Sequence, residues 1–238
     1  MPLITREVRW FFDGSLAATG AATAAWFVGA GRGGAGSIEA RISPQDWPYQ
    51  DWRTDHYLRL PNAPDVSVKL RQGRLEIKGC HSFVGVQRFG EGIEGEVGCW
   101  TKWAVDPPER VGPHERGDDA DGGHGLGGLA TLRVAKQRVV RRVRFTQDGF
   151  VEVPAAQQID CGLHMELTRL CVNDAPEETE WTLGFEAFPD DPSCCALFAA
   201  AVARLLDGCP AKPLRMENSM AYPRWLQRLG PGERSQIE

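Results

Sequence analysis

The sequence predicts an α+β fold that is mainly β, built on a closed or nearly closed antiparallel sheet with a few flanking helices. Three observations predict it. Apolar and polar residues alternate with period two through most of the chain, turn-forming residues separate the alternating runs, and only short stretches show helical spacing. About eight or nine strands in one unit leave two bare edges unless the sheet meets itself, so closure is expected.

The first run, LITREVRWFF, alternates up to Asp13-Gly14, which predicts a strand entering a turn. The alanine-rich run after it has a cap at Ser15 and a stop at Gly29, giving a helix of about three turns. GAGRGGAGS follows, and its Gly29, Gly31 and Gly34 satisfy GxGxxG by spacing. A dinucleotide-binding loop needs a strand before the glycines and a helix after them. Here the order is reversed, so a flexible linker is expected.

Strands are expected at about 53–60, 66–72, 74–80, 83–89 and 96–104. Within them SVKLRQGRLEIK, residues 67–78, reads as a tight hairpin at Gly73 with Lys69, Arg71, Arg74, Glu76 and Lys78 turned to its charged face. Residues 106–128 hold three prolines, seven glycines and six acidic residues, the composition of a mobile excursion. Strands resume at about 131–145, 159–172 and 179–188, with turns at Gln147-Asp148-Gly149 and Asn173-Asp174-Ala175-Pro176. A C-terminal helical region opens at about residue 192: Asp191 and Pro192 start it, Leu197, Ala201, Arg204 and Leu205 recur at helical spacing, and Gly208 and Pro210 end it. Tyr222, Trp225 and Leu226 are expected to pack back on the body. No repeat and no shift in composition divides the chain, which predicts a single domain over 1–238.

The 238 residues carry a formal net charge of −5 and a pI of about 5.6, which gives no general attraction to nucleic acid or to anionic membranes. The most apolar N-terminal run is too short and too interrupted to span a bilayer, and Glu7 and Asp13 precede it where a signal peptide would carry net positive charge, so no membrane association is expected. Seven cysteines without a CxxC pair suit a reducing compartment, and the protein is expected to be cytoplasmic. Cys161 and His164 point to opposite faces of a strand, which argues against a metal shared between them.

Alternation also sorts the charges. Thr5, Glu7 and Arg9 share one face, as do Lys136, Arg138, Arg142 and Arg144, then His164, Glu166 and Thr168, then Thr182, Gly184 and Glu186. If water covered these faces, nothing more would follow. The excess of cations in an acidic chain, with carboxylates on the first and the last two strands, fits a different arrangement: a water-filled interior that admits a polyanion. Arg offers a forked pair of donors to phosphate oxygens and Lys a point charge, while Mg²⁺ or Mn²⁺ bridges carboxylate and phosphate oxygens.

With these residues the chain resembles the CYTH-like, or triphosphate tunnel metalloenzyme, superfamily. The family hallmark ExExK is matched by Thr5, Glu7 and Arg9, its paired basic residues by Lys69 and Arg71, and its next lysine by Lys78. Lys136 and Arg138 are similar to its later basic positions, and Glu166 and Glu186 to its late carboxylates. The resemblance covers most of residues 4–190 and implies an eight-stranded antiparallel tunnel around a triphosphate. It implies Glu7, Glu166 and Glu186 as metal-holding catalytic residues, Mg²⁺ or Mn²⁺ as cofactor, and Arg9, Lys69, Arg71, Lys78, Lys136 and Arg138 as phosphate-binding residues. Arg142, on the same predicted face, joins that set. The expected activity is binding and hydrolysis of a triphosphate, a nucleotide or a related phosphorylated small molecule. Thr5 stands where the family has its first glutamate, which keeps open a non-catalytic phosphoryl-ligand binding protein. Nucleic-acid binding by RVAKQRVVRRVRF is the least favoured alternative, with Trp100 or Trp103 as stacking residues.

Overall fold

The computed structural model describes residues 3–13, 23–24, 26–27, 52–105, 130–173, 179–210 and 214–229. Nine strands occur among them: β1 (Ile4–Asp13), β2 (Arg53–Leu58), β3 (Val66–Arg71), β4 (Arg74–Gly90), β5 (Ile93–Val105), β6 (Thr131–Thr146), β7 (Gly149–Val153), β8 (Gly162–Val172) and β9 (Thr179–Phe188). Two helices follow, α1 (Pro192–Leu205) and α2 (Tyr222–Arg228).

The strands pair antiparallel in the order β2-β3-β4-β5-β1-β9-β8-β6-β7, and β2 also pairs with β6. That last pairing runs from Arg53 opposite Lys136 to Leu58 opposite Thr131 and closes an eight-strand barrel. β7 stays outside the closed ring and forms a hairpin on the far end of β6. An eight-strand barrel is wide enough inside for side chains or one small ligand.

Two expected elements are corrected. Residues 74–80 and 83–89 are not separate strands but one 17-residue β4, whose register against β5 shifts between Cys80 and Ser82, Phe83 and Gly85, and Arg88 and Gly90. These bulges bend a long strand around the barrel without ending it. β7 had no counterpart among the expected strands, because five residues, GFVEV, are too few to show a period. The hairpin at Gly73 is as expected: Gln72 and Gly73 have φ of 49° and 79°, the left-handed pair of a two-residue turn, and Arg71 faces Arg74 across it. Of the helix expected at 15–29, only Thr23, Ala24, Trp26 and Phe27 are described, and they are helical. The glycine-rich GAGRGGAGS and the excursion at 106–128 lie outside the described residues.

Alternation divides the apolar residues between two cores. Val8, Trp10, Val97, Leu163, Met165, Leu167, Leu183 and Phe185 face outward and are buried against Phe198, Ala201, Val202 and Leu205 of α1 and against Phe27. The second core fills one end of the barrel, where Phe11, Tyr57, Leu132, Val134, Leu170 and Val172 meet Met220, Trp225 and Leu229. Trp225 stacks on Phe11 with ring centroids 5.2 Å apart and 13° between planes. The tail thus packs back as expected, and α2 plugs the barrel. Because the apolar face is turned outward and packs in part beneath α1, the charged face is turned to the barrel interior.

Candidate functional site: a basic chamber inside the barrel

Strand register places the charges in rows. Glu7 of β1 faces Glu186 of β9, Glu186 faces His164 of β8, and His164 faces Arg142 of β6. One step along, Arg9 faces Gly184, Gly184 faces Glu166, and Glu166 faces Val140. A Cβ on Gly184 would lie 2.5 Å from the Arg9 guanidinium carbon, so this glycine leaves the space in which that guanidinium lies.

These rows and the facing strands β2 to β5 enclose a chamber of about 180 Å³. Of the expected residues, Glu7, Arg9, Lys69, Arg71, Lys78, Lys136, Arg138, Glu166 and Glu186 all line it. Arg142 does not; it lines a second chamber, of about 210 Å³, which shares Arg9, Arg138, Glu166 and Glu186 with the first. Arg74, at the hairpin, and Arg144 line neither. The first chamber also takes Arg53 and Tyr57 of β2, Ser67 of β3, Glu76 of β4, Trp100 and Lys102 of β5, Thr168 of β8, and Tyr222 of α2. These residues were outside the expected set, although period two on RTDHYL already puts Arg53 and Tyr57 on one side with Asp55. Trp103, the other tryptophan considered for stacking, is on the outer face and 45% exposed.

Asp55 organises the basic wall. Its carboxylate has no exposure, accepts hydrogen bonds from Lys69 Nζ at 3.1 Å and from Arg71 Nε at 2.8 Å, and lies 3.4 Å from Lys136 Nζ. Burial alone would raise its pKa, but Lys136, Arg71 and Lys69 hold it well below the usual carboxylate range. Glu76 adds a second anchor, 3.2 Å from Lys69 Nζ and 3.0 Å from Arg71 Nη1. Lys136 is 6% exposed, and burial pushes its pKa well down despite Asp55. Its ammonium donates to the Tyr57 hydroxyl at 2.5 Å and lies 4.0 Å from the centre of the Tyr222 ring.

The opposite wall holds the other carboxylates. Glu166 is bound by Arg9 Nη2 at 3.1 Å, Arg138 Nη1 at 3.0 Å and the Thr168 hydroxyl at 3.0 Å. Burial opposes its ionisation, but the two guanidiniums outweigh that and keep it an anion. Glu7 accepts from the Lys78 ammonium and, at 3.0 Å, from the Thr5 hydroxyl. Glu186 is different. Burial, and then repulsion from Glu7, push its pKa up to about 7.

Eight cations line the chamber against four carboxylates, with Asp55 behind them as a fifth. The excess stands in an enclosure where an unmatched charge is costly, and an anion carrying several charges removes that cost. Among the described residues, no three His, Cys, Asp or Glu side chains are gathered as a metal-ligand cluster. Glu166 is committed to its two arginines. Glu7 and Glu186, neighbours across β1 and β9 whose repulsion Lys78 offsets only in part, do fit a hard divalent cation, because Mg²⁺ characteristically takes one or two protein carboxylates and completes its shell with phosphate and water oxygens.

No helix among the described residues is long and apolar enough to cross a membrane. No protein-family model and no curated protein sequence matches the chain. Among solved structures it is similar to the S. pombe Pct1 RNA triphosphatase, at 13% sequence identity and a TM-score of 0.34, over 95% of this chain and 80% of that chain. That likeness is too distant to bring chemistry across. What the strand pairing itself establishes is the closed eight-strand antiparallel barrel that the resemblance in the sequence implied.

Proposed function

We propose that the protein binds a triphosphate, or a related phosphorylated compound, inside the barrel and hydrolyses it with a divalent cation, as a member of the triphosphate tunnel superfamily. The observation that carries this is the enclosed excess of cations facing the Glu7–Glu186 pair. In this scheme Lys69, Arg71, Lys78 and Lys136 take the phosphate oxygens of the chain, and Arg9 and Arg138 hold the end that reaches the waist shared by the two chambers. Glu7 and Glu186 hold Mg²⁺ or Mn²⁺, which when bound neutralises phosphate charge and acidifies a coordinated water. Asp55 and Glu76 keep the basic wall fixed, so that little reorganisation is needed when the anion arrives.

One observation favours the non-catalytic alternative: Thr5 gives Glu7 a hydroxyl donor where a further carboxylate would have given a metal ligand. Phosphate release from tripolyphosphate and from ATP with Mg²⁺ or Mn²⁺ separates the two. We expect metal-dependent release that falls by at least about a hundredfold in Glu7→Gln. Tight binding without release under either metal would make the protein a binder. The nucleic-acid alternative gains nothing, because the cations of β6 are dispersed: Lys136 and Arg138 line the interior, while Arg141 pairs with Glu152 at 2.6 Å. We further propose a single working domain over 1–238 in a reducing compartment such as the cytoplasm, in keeping with seven free cysteines.

A further inference from the structure

The second chamber is more than an extension of the first. Most of its residues come from the same two register rows, but among the described residues its only cation of its own is Arg142, since Arg9 and Arg138 are shared and already engaged with Glu166. Arg142 donates from Nη1 to the carbonyl of Gln157 at 2.6 Å, which fixes the guanidinium, while its Nε is buried without a hydrogen-bond partner. A buried, unsatisfied donor on a fixed cation calls for an acceptor. His164 beside it is held neutral at physiological pH, because burial, and then the charge of Arg142, lower its pKa to about 4. It can therefore both donate and accept. Val139, Val140 and Ala155 make up much of the remaining wall, and of the two carboxylates that also line it Glu166 is already engaged by Arg9 and Arg138. A volume of about 210 Å³ holds a few waters of about 30 Å³ each, or one tetrahedral oxyanion with part of its shell.

We propose that this chamber is a separate binding site for a single tetrahedral oxyanion of the orthophosphate class, anchored by the Arg142 guanidinium with His164 beside it. Its place beyond the Arg9–Arg138–Glu166 waist makes it the way out for phosphate cleaved from a chain held in the first chamber. That role as an exit rests on the hydrolytic function proposed above; the binding of orthophosphate does not. No covalent step is involved.

The test is calorimetric titration of the full chain, without metal, using orthophosphate and tripolyphosphate as separate probes, on the wild type, Arg142→Leu, Arg142→Lys and Lys69→Ala. Lys69 lines only the first chamber. We expect Arg142→Leu to weaken orthophosphate binding at least tenfold more than tripolyphosphate binding, Lys69→Ala to show the opposite ranking, and Arg142→Lys to recover part of the orthophosphate affinity. Thermal melts of each variant identify any that fails to fold, and Arg142→Lys then carries the comparison. Orthophosphate affinity that is absent from the wild type, or reduced equally by Arg142→Leu and Lys69→Ala, overturns the proposal. Because no turnover is measured, a failure here is distinct from a failure to release phosphate in the hydrolysis assay.

Discussion

At the scale of single residues, the interior is a set of charges that satisfy one another incompletely. Asp55 and Glu166 are saturated by cations and stay ionised, whereas Glu186 is pressed against Glu7 and has its pKa raised to about 7, burial being the larger cause. The sign of the effect on stability follows. An unfolded glutamate loses its proton near pH 4.3. Between there and pH 7 the folded protein holds a proton that the unfolded chain has released, so stability falls as pH rises through that window and stays reduced above it. Glu186→Gln removes this loss. With a chelator present, the urea midpoint of the wild type should drop from pH 5 to pH 8 by more than that of Glu186→Gln, and equal drops would contradict the assignment. Much of this chemistry was legible in advance, because period two marks a face: Glu7, Lys69, Arg71, Lys78, Lys136, Arg138, Glu166 and Glu186 all reach one chamber. Asp55 was not, since a lone carboxylate in RTDHYL shows nothing of the four cations brought to it by β2, β3 and β6. Tyr222 was not either; it enters the site only because α2 caps the barrel.

At the scale of elements, register decides which charges meet. Glu7 faces Glu186, and Glu186 faces His164 and through it Arg142, because β1, β9, β8 and β6 pair without an offset between these rows. A slip of one residue would send every one of them to the apolar face. The register of β6 also explains Arg142. β6 pairs with β2 at its start and with β7 at its end, so Lys136 and Arg138 face the closed barrel while Arg142 lies beyond it. Same-face alternation could not reveal that break. α1 covers part of the outer face, and its first turn depends on Asp191, whose carboxylate accepts the Cys194 backbone N–H at 2.8 Å. Asp191→Ala should cost about 1 kcal/mol, while Asp191→Asn keeps an acceptor and should cost less. For a protein of this size the alanine change lowers the melting temperature by about 2 to 4 °C. Equal melting temperatures for wild type and Asp191→Ala would mean that the cap does not stabilise the helix.

At the scale of the whole molecule, the barrel inverts the usual arrangement of a sheet. Apolar side chains face outward beneath α1, an apolar plug closes one end, and the middle of the interior is charged. Alternation in the sequence announced two faces but not which one water would cover; closure of β2 on β6 turned the charged face inward. The net charge of −5 is therefore no guide to the ligand, because the cations are gathered inside. Everything proposed for the protein depends on that interior being where the anion goes. The most direct measurement is a crystal structure with tripolyphosphate and Mn²⁺, the metal located by its anomalous scattering. The account predicts the phosphate chain between Lys69, Arg71, Lys78 and Arg138, with manganese at Glu7 and Glu186. Phosphate bound only on the outer surface, or manganese held away from both glutamates, would contradict it.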